Sequence, residues 1–261
     1  MDRDFAALLR AVTDDQPPRV WSLLVTVFGE MAQAPGARIS GRLLTRITEE
    51  IGIKPEANRV ALHRLRKDNW IESHRTGRES AYTLTAWGLS QTRLASPRIY
   101  AEASLETELW FIAGEGAGEG AGDAVTPIAP GLYVSARALR DPALLCIPVA
   151  ATTPLPDWVR DRVCDAKTVA LAETLLRRFE ALEARLAPPE ALTALQIAVL
   201  RVLIVHAWRR VVLRAAALPD AAFPTGWHGP ACRASVARLL AALEKPGLAA
   251  LEAAVHGDRN G

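Results

Sequence analysis

Residues 58 to 67 read Asn-Arg-Val-Ala-Leu-His-Arg-Leu-Arg-Lys, and Arg75 and Arg78 follow shortly after. Guanidinium and ammonium groups hold phosphate oxygens, and asparagine, arginine and histidine match the hydrogen-bonding edges of bases. Asn58, Arg59 and His63 lie toward the N-terminal half of an expected helix and are the expected base-edge or phosphate contacts. Arg64, Arg66 and Lys67 are expected to hold phosphates, as are Arg75 and Arg78 on an adjoining hairpin. Taken alone, an arginine-rich helix is also compatible with a solvated face, and Glu49, Glu50 or Glu72 are alternative partners for Arg66 and Lys67.

The elements that must position these groups decide between the two. Val20, Leu23, Leu24, Val27, Phe28 and Met31 recur at helical intervals after Pro17-Pro18, and Pro35-Gly36 closes that helix. A second helix is expected from Gly41 to Ile51, with Ser40 as N-cap, Leu43, Leu44, Ile47 and Ile51 apolar, and Gly52 as its stop. Pro55, tolerated in a first turn, opens a third helix to Asp68 with Ala61, Leu62 and Leu65 inward. Strands at about 70–75 and 80–85 are joined by Thr76-Gly77-Arg78-Glu79, where glycine permits a tight turn, and Thr85 begins another helix. Helix, helix, turn, basic helix and hairpin is the winged helix-turn-helix order, in which a helix fits the major groove and the wing reaches backbone or minor groove.

The rest of the chain is expected to be α+β, mainly α. Short strands are expected at 108–113, 131–135 and 144–150, then helices at 167–186, 189–216, 230–243 and 246–255. This places a winged helix in residues 1–95, a small α/β domain in 96–166 and a helical domain in 167–261. The 31 basic and 29 acidic residues leave a net charge of +2, so affinity for nucleic acid must come from local clustering.

Other chemistries find little footing. Cys146, Cys164 and Cys232 have neither disulfide-framework nor zinc-ligand spacing. The histidines, His63, His74, His206, His228 and His256, form no metal motif, and there is no GxSxG nucleophile elbow. The tract Gly114-Glu-Gly-Ala-Gly-Glu-Gly120 lacks the Gly-Lys-Ser/Thr ending of a phosphate loop and carries two glutamates, so a linker is expected. The charged N-terminus lacks an export signal, and Arg201, His206, Arg209 and Arg210 interrupt the apolar stretch 195–213, so a cytoplasmic chain with no membrane span, no metal and no cofactor is expected.

Ser22-Leu-Leu-Val-Thr-Val-Phe-Gly29, Asn58-Arg-Val-Ala-Leu-His-Arg-Leu65 with Lys67-Asp-Asn-Trp70, and Gly77-Arg78 with Tyr82-Thr-Leu-Thr85 closely resemble the PaaX family of phenylacetate-pathway repressors. Leu203-Ile-Val-His206-Ala-Trp208-Arg209-Arg210, Leu218-Pro219 and Trp227-His-Gly229 resemble that family's helical domain; residues 101–165 match it poorly. The resemblance implies a dimeric, non-enzymatic repressor of catabolic genes with a ferredoxin-like central domain, released from operator DNA by phenylacetyl-coenzyme A or a related acyl-coenzyme A. Such an ester needs cations for its phosphates and an apolar slot, which His206, Trp208, Arg209, Arg210, Trp227 and His228 could offer; the stronger reading of Trp208 and Trp227 is as core anchors between helices, and the default for Arg177 and Arg178 is a solvated face. The alternatives are a winged-helix regulator of another pathway, a nuclease-like enzyme, or a winged helix that binds protein.

Overall fold

Leu23, Leu24, Val27 and Phe28 of the apolar stripe are buried, and Val20 and Met31 at its ends half-buried, in the structure, a computed structural model that describes residues 3–13, 18–76, 79–114, 124–150, 152–186 and 192–257. A helix not anticipated from the sequence, α1 (Arg3–Val12), precedes α2 (Val20–Met31), with Phe5, Leu8, Leu9 and Val12 buried. Then come β1 (Ile39–Ser40), α3 (Gly41–Glu50), α4 (Pro55–Lys67), β2 (Ile71–Thr76), β3 (Glu79–Leu84) and α5 (Ala86–Tyr100). Strands β1, β3 and β2 form an antiparallel sheet in that order, with Ile39 opposite Tyr82 and Ile71 opposite Leu84. Leu23, Leu24, Val27 and Phe28 of α2, Leu43, Leu44 and Ile47 of α3, Ala61, Leu62 and Leu65 of α4 and Ile71 are all buried. Buried apolar side chains from three helices and a strand are what fix a small helix–sheet domain.

The central strands are β4 (Leu109–Ala113), β5 (Thr126–Ala129), β6 (Leu132–Ser135) and β7 (Leu145–Val149), followed by helices α6 (Asp157–Val163), α7 (Ala166–Glu183), α8 (Ala194–Val212), α9 (Gly229–Ala242) and α10 (Leu248–Gly257). The mainly helical α+β class holds. The four strands are antiparallel in the order β5-β6-β4-β7, the order of a ferredoxin-like sheet. Residues 136–144, where such a fold places its second crossover helix, contain none, and residues 115–123, where it places the first, lie outside the described residues. Strand β5 is short, carries Pro127 and is bulged, which hides it from period-two patterning. Most of the glycine-rich tract lies outside the described residues, as does the expected helix start at Pro189.

Contacts gather the chain into two compact units. One comprises Met1–Pro97, Arg178–Ala207 and Val236–Gly261, and the other Arg98–Arg177 and Trp208–Ser235. The cut therefore runs through the long C-terminal helices, where a division by chain order would keep residues 167–261 together. In the second unit Leu109, Ile128 and Val134 of the sheet pack with Val159 and Val163 of α6 and with Ala215, Leu218 and Phe223.

Candidate nucleic-acid interface

Helix α4 has two opposite faces. Asn58, Ala61, Leu62 and Leu65 face inward, while Glu56, Arg59, Val60, His63, Arg64, Arg66 and Lys67 are exposed. Asn58 corrects the expectation drawn from sequence. It is 1% exposed, and its Nδ2 donates to Thr45 Oγ1 at 3.2 Å, so it ties α4 to α3 and has no access to a base edge. Its position was legible, since Asn58, Ala61, Leu62 and Leu65 stand at i, i+3, i+4 and i+7 on one helical face.

The remaining α4 cations point outward. Arg59 pairs with Glu56 at 2.9 Å, both about three-quarters exposed, a contact worth little that a phosphate or guanine can displace. Arg64 lies over the Trp21 ring at 5.1 Å and reaches Asp68 at 3.4 Å. His63, Arg66 and Lys67 make no side-chain hydrogen bond or ion pair among the described residues. Arg64, Arg66 and Lys67 sit in the last turn, where cations suit the negative end of the helix dipole.

Local chemistry sets the attitude of this helix. Ser40 Oγ accepts the Leu43 N–H at 3.0 Å and starts α3, as its sequence position implies. Gly52, at φ +83°, ends α3: its N–H meets Glu49 O and the Ile53 N–H meets Thr48 O. This paired closure hands the chain to Pro55. Asn69, at φ +58°, repeats the device at the end of α4, with Asn69 N–H to Arg66 O and Trp70 N–H to Leu65 O. Thr85 then caps α5 by accepting the Gly88 N–H at 3.0 Å, and its own N–H donates to Trp70 O. Gly88 must be glycine, because a Cβ there would stand 2.2 Å from Trp70 O. Trp87 meets Trp70 edge-on at 4.8 Å. The wing is thus pinned to the end of the basic helix.

Strands β2 and β3 pair from Ile71–Leu84 to Thr76–Glu79, and Arg75 is exposed near their tip. Arg78 lies outside the described residues. The C-terminal helix α10 packs on α3 and β1, which nothing in the local sequence announces. Glu252 accepts the Ser40 N–H at 2.7 Å, and His256 Nε2 meets Glu79 at 3.2 Å while its Nδ1 meets Glu252 O at 2.7 Å. These contacts with Glu252 and Glu79 raise the His256 pKa above its ordinary 6.5.

The residues expected to hold an effector divide between the two units. His206 belongs to the first unit, 5% exposed and 3.1 Å from Thr26 Oγ1. The other five belong to the second unit. Trp208 is fully buried and its indole N–H donates to Ile99 O at 3.0 Å, so His206 and Trp208 are consumed by packing. Arg209 is half-buried, and loss of water lowers its pKa from the usual arginine range, opposed by Tyr100. Arg210 is exposed and His228 half-buried. Trp227 stacks on Phe223 at 4.7 Å beside a cleft lined by Arg98, Leu105, Asp220 and Arg233, with a cavity volume of only 40 Å³. A larger cavity, 280 Å³, is lined by Arg162, Cys164, Asp165, Thr168 and Arg214, and contains none of the six. Burial and Asp165 push the Cys164 thiol up to about 11, which keeps it protonated at neutral pH.

A helix, strand, helix, turn, basic helix and hairpin, in this order and packed on one core, define a winged helix-turn-helix protein. A family model described as "PaaX-like protein" matches residues 19–88, and "PaaX-like protein C-terminal domain" matches residues 167–253, together more than half the chain. The chain belongs to the PaaX-like family. It is 28% identical over 244 residues to the transcriptional repressor PaaX of Escherichia coli (strain K12), covering 81% of this chain and 76% of that protein. Among solved structures, the uncharacterized protein Rv0674 from Mycobacterium tuberculosis is 17% identical with a TM-score of 0.45, over 92% of this chain and 100% of that one.

Proposed function

We propose that this chain is a transcriptional repressor that binds double-stranded operator DNA through α4 and the β2–β3 wing. The observation that carries the proposal is the outward face of α4, which gathers Arg59, His63, Arg64, Arg66 and Lys67 opposite a fully buried apolar stripe. A rigid helix of this kind fits a major groove, and its cations match the phosphates that flank it. The similarity to a protein named a transcriptional repressor points the same way. Among the described residues no helix is long and apolar enough to cross a membrane.

Within this proposal Arg59 and His63 reach base edges and Arg64, Arg66, Lys67, Arg75 and Arg78 hold phosphates. A two-fold pair of chains reading two half-sites multiplies the modest specificity of one helix, so the repressor acts as a homodimer. Resemblance to the PaaX family favours genes of phenylacetate or related aromatic catabolism as targets, and phenylacetyl-coenzyme A or a similar ester as the releasing ligand. In the described conformation the cleft beside Trp227 is too small for such a ligand, whose pockets usually run to roughly 300–1,000 Å³, so binding entails opening of the second unit or use of the larger cavity at Arg162 and Arg214.

Titration of the full chain against a duplex from its own upstream region, over a range of salt concentrations, tests the proposal. Affinity should fall steeply as salt rises, since each neutralised phosphate releases counterions. Arg59→Ala with Arg78→Ala should weaken binding with unchanged thermal unfolding. Flat salt dependence points instead to a protein partner. Thermal-shift screening with acyl-coenzyme A esters, followed by release of bound duplex, tests the effector.

A further inference from the structure

On the outward face of α4 one side chain does not belong to the charged pattern. Val60 is 71% exposed, among the most exposed large hydrophobic side chains described. At about 100° per residue, Glu56, Arg59, Val60, His63 and Lys67 form one stripe around the helix, opposite Asn58, Ala61, Leu62 and Leu65. Val60 therefore lies on that exposed face with Lys67 on one side of it and Arg64 on the other. Folding gains almost nothing from it there: its isopropyl group stays in water, and a β-branched residue is a weaker helix former than alanine or a straight-chain residue.

We propose that Val60 is a base-reading residue that contacts the 5-methyl group of a thymine in the major groove, replacing Asn58 in the set that selects sequence. The inference rests on the proposal that α4 enters that groove. Of the bases, thymine alone presents a methyl group there, and a small apolar side chain is its natural partner. Charge complementarity names the occupant, because Arg59, His63, Arg64, Arg66 and Lys67 around Val60 suit a polyanion and would oppose an apolar protein surface. The position also fits. Val60 lies in the second turn of α4 (Pro55–Lys67), and the N-terminal part of a recognition helix is what approaches base edges. Arg59 beside it, once parted from Glu56, is free to hold a neighbouring guanine or phosphate.

The test uses the full chain and a duplex obtained by selection from a randomised pool. Each thymine of the selected site is replaced in turn by deoxyuridine, which removes the 5-methyl group alone. At one or more positions the wild-type protein should bind the uracil duplex about fourfold more weakly, the amount expected for one buried methyl-sized group. Val60→Ala, whose shorter side chain withdraws from the methyl group, should narrow the gap between thymine and uracil duplexes there, with an unchanged slope of affinity against salt. Val60→Thr, nearly identical in shape, controls for packing and should keep part of the preference. The inference is overturned if wild type shows no thymine preference at any position, or if Val60→Ala retains it undiminished. Failure of the wild-type protein to select any duplex would instead bring down the DNA-binding proposal itself, and this inference with it.

Discussion

Helices α4 and α8 carry the same kinds of residue in the sequence and put them to opposite uses. On α4 the cations stand outside, and the single polar residue on the inner face, Asn58, bonds to α3. On α8 every residue from Ala198 to His206 is buried, so its polar groups must find partners within the protein. Arg201 donates to Glu30 at 2.7 Å and to the carbonyls of Leu240 and Leu243, and His206 meets Thr26. A helix apolar on one side leaves charge available for a ligand, whereas a helix apolar all round turns the same charge into a fastening. Residue type alone therefore does not tell the buried polar groups of α8, Arg201 and His206, from the exposed ones of α4.

The strongest way to break this contrast is to remove one half of the buried pair. Glu30→Ala should destabilise the protein by about 3–5 kcal/mol, because it strands the Arg201 charge in the interior. Denaturant unfolding measures it, and a negligible shift in midpoint would mean that the charge on α8 is not a fastening. Trp208→Phe should cost less, about 1–3 kcal/mol, by leaving the Ile99 carbonyl without its donor. A ligand role for Trp208 would show as lost effector response at unchanged stability.

The same logic applied to α4 predicts the reverse. Arg66→Ala and Lys67→Ala should each change stability by less than about 0.5 kcal/mol and each lower the salt slope of DNA binding by about 1. Asn58→Ala on the inner face should instead cost about 1 kcal/mol of stability and leave that slope intact. Together these variants separate the two faces of one helix.

The smallest effect is set by pH at the wing. The His256 pKa is raised by the Glu252 carbonyl and the Glu79 carboxylate, so the protonated form is favoured in the folded state. Its contribution is complete below the ordinary 6.5 and is lost as pH rises through the raised value. Hydrogen exchange of the α10 amides should accelerate across that window, and the His256 resonances should titrate above 6.5 in wild type but closer to it in Glu79→Gln. No difference between the two proteins would remove Glu79 from the account.

Much of the reading head was legible beforehand. Helices α2, α3 and α4 fall within a residue or so of their expected limits, since their apolar spacing, the Ser40 cap, Gly52 and Pro55 are all local signals. Helix α1, strand β5 and helix α6 were not, being short or interrupted. In the sequence Val60 reads as an ordinary helix residue, and only its exposure marks it. For Asn58 residue type points outward, whereas the period of its own helix turns it inward, as the structure has it.

The sequence by itself determined a winged helix-turn-helix, a basic helix at its front and membership of a family, because those follow from periodicity, caps and short motifs within a few turns of one another. Only the tertiary structure decided which polar groups remain available. Glu30 meets Arg201, Asn58 meets Thr45 and Glu79 meets His256 across chain separations that no local pattern encodes. The partner a buried polar group finds is whichever neighbour the fold delivers, and that neighbour is chosen by the packing of the whole core.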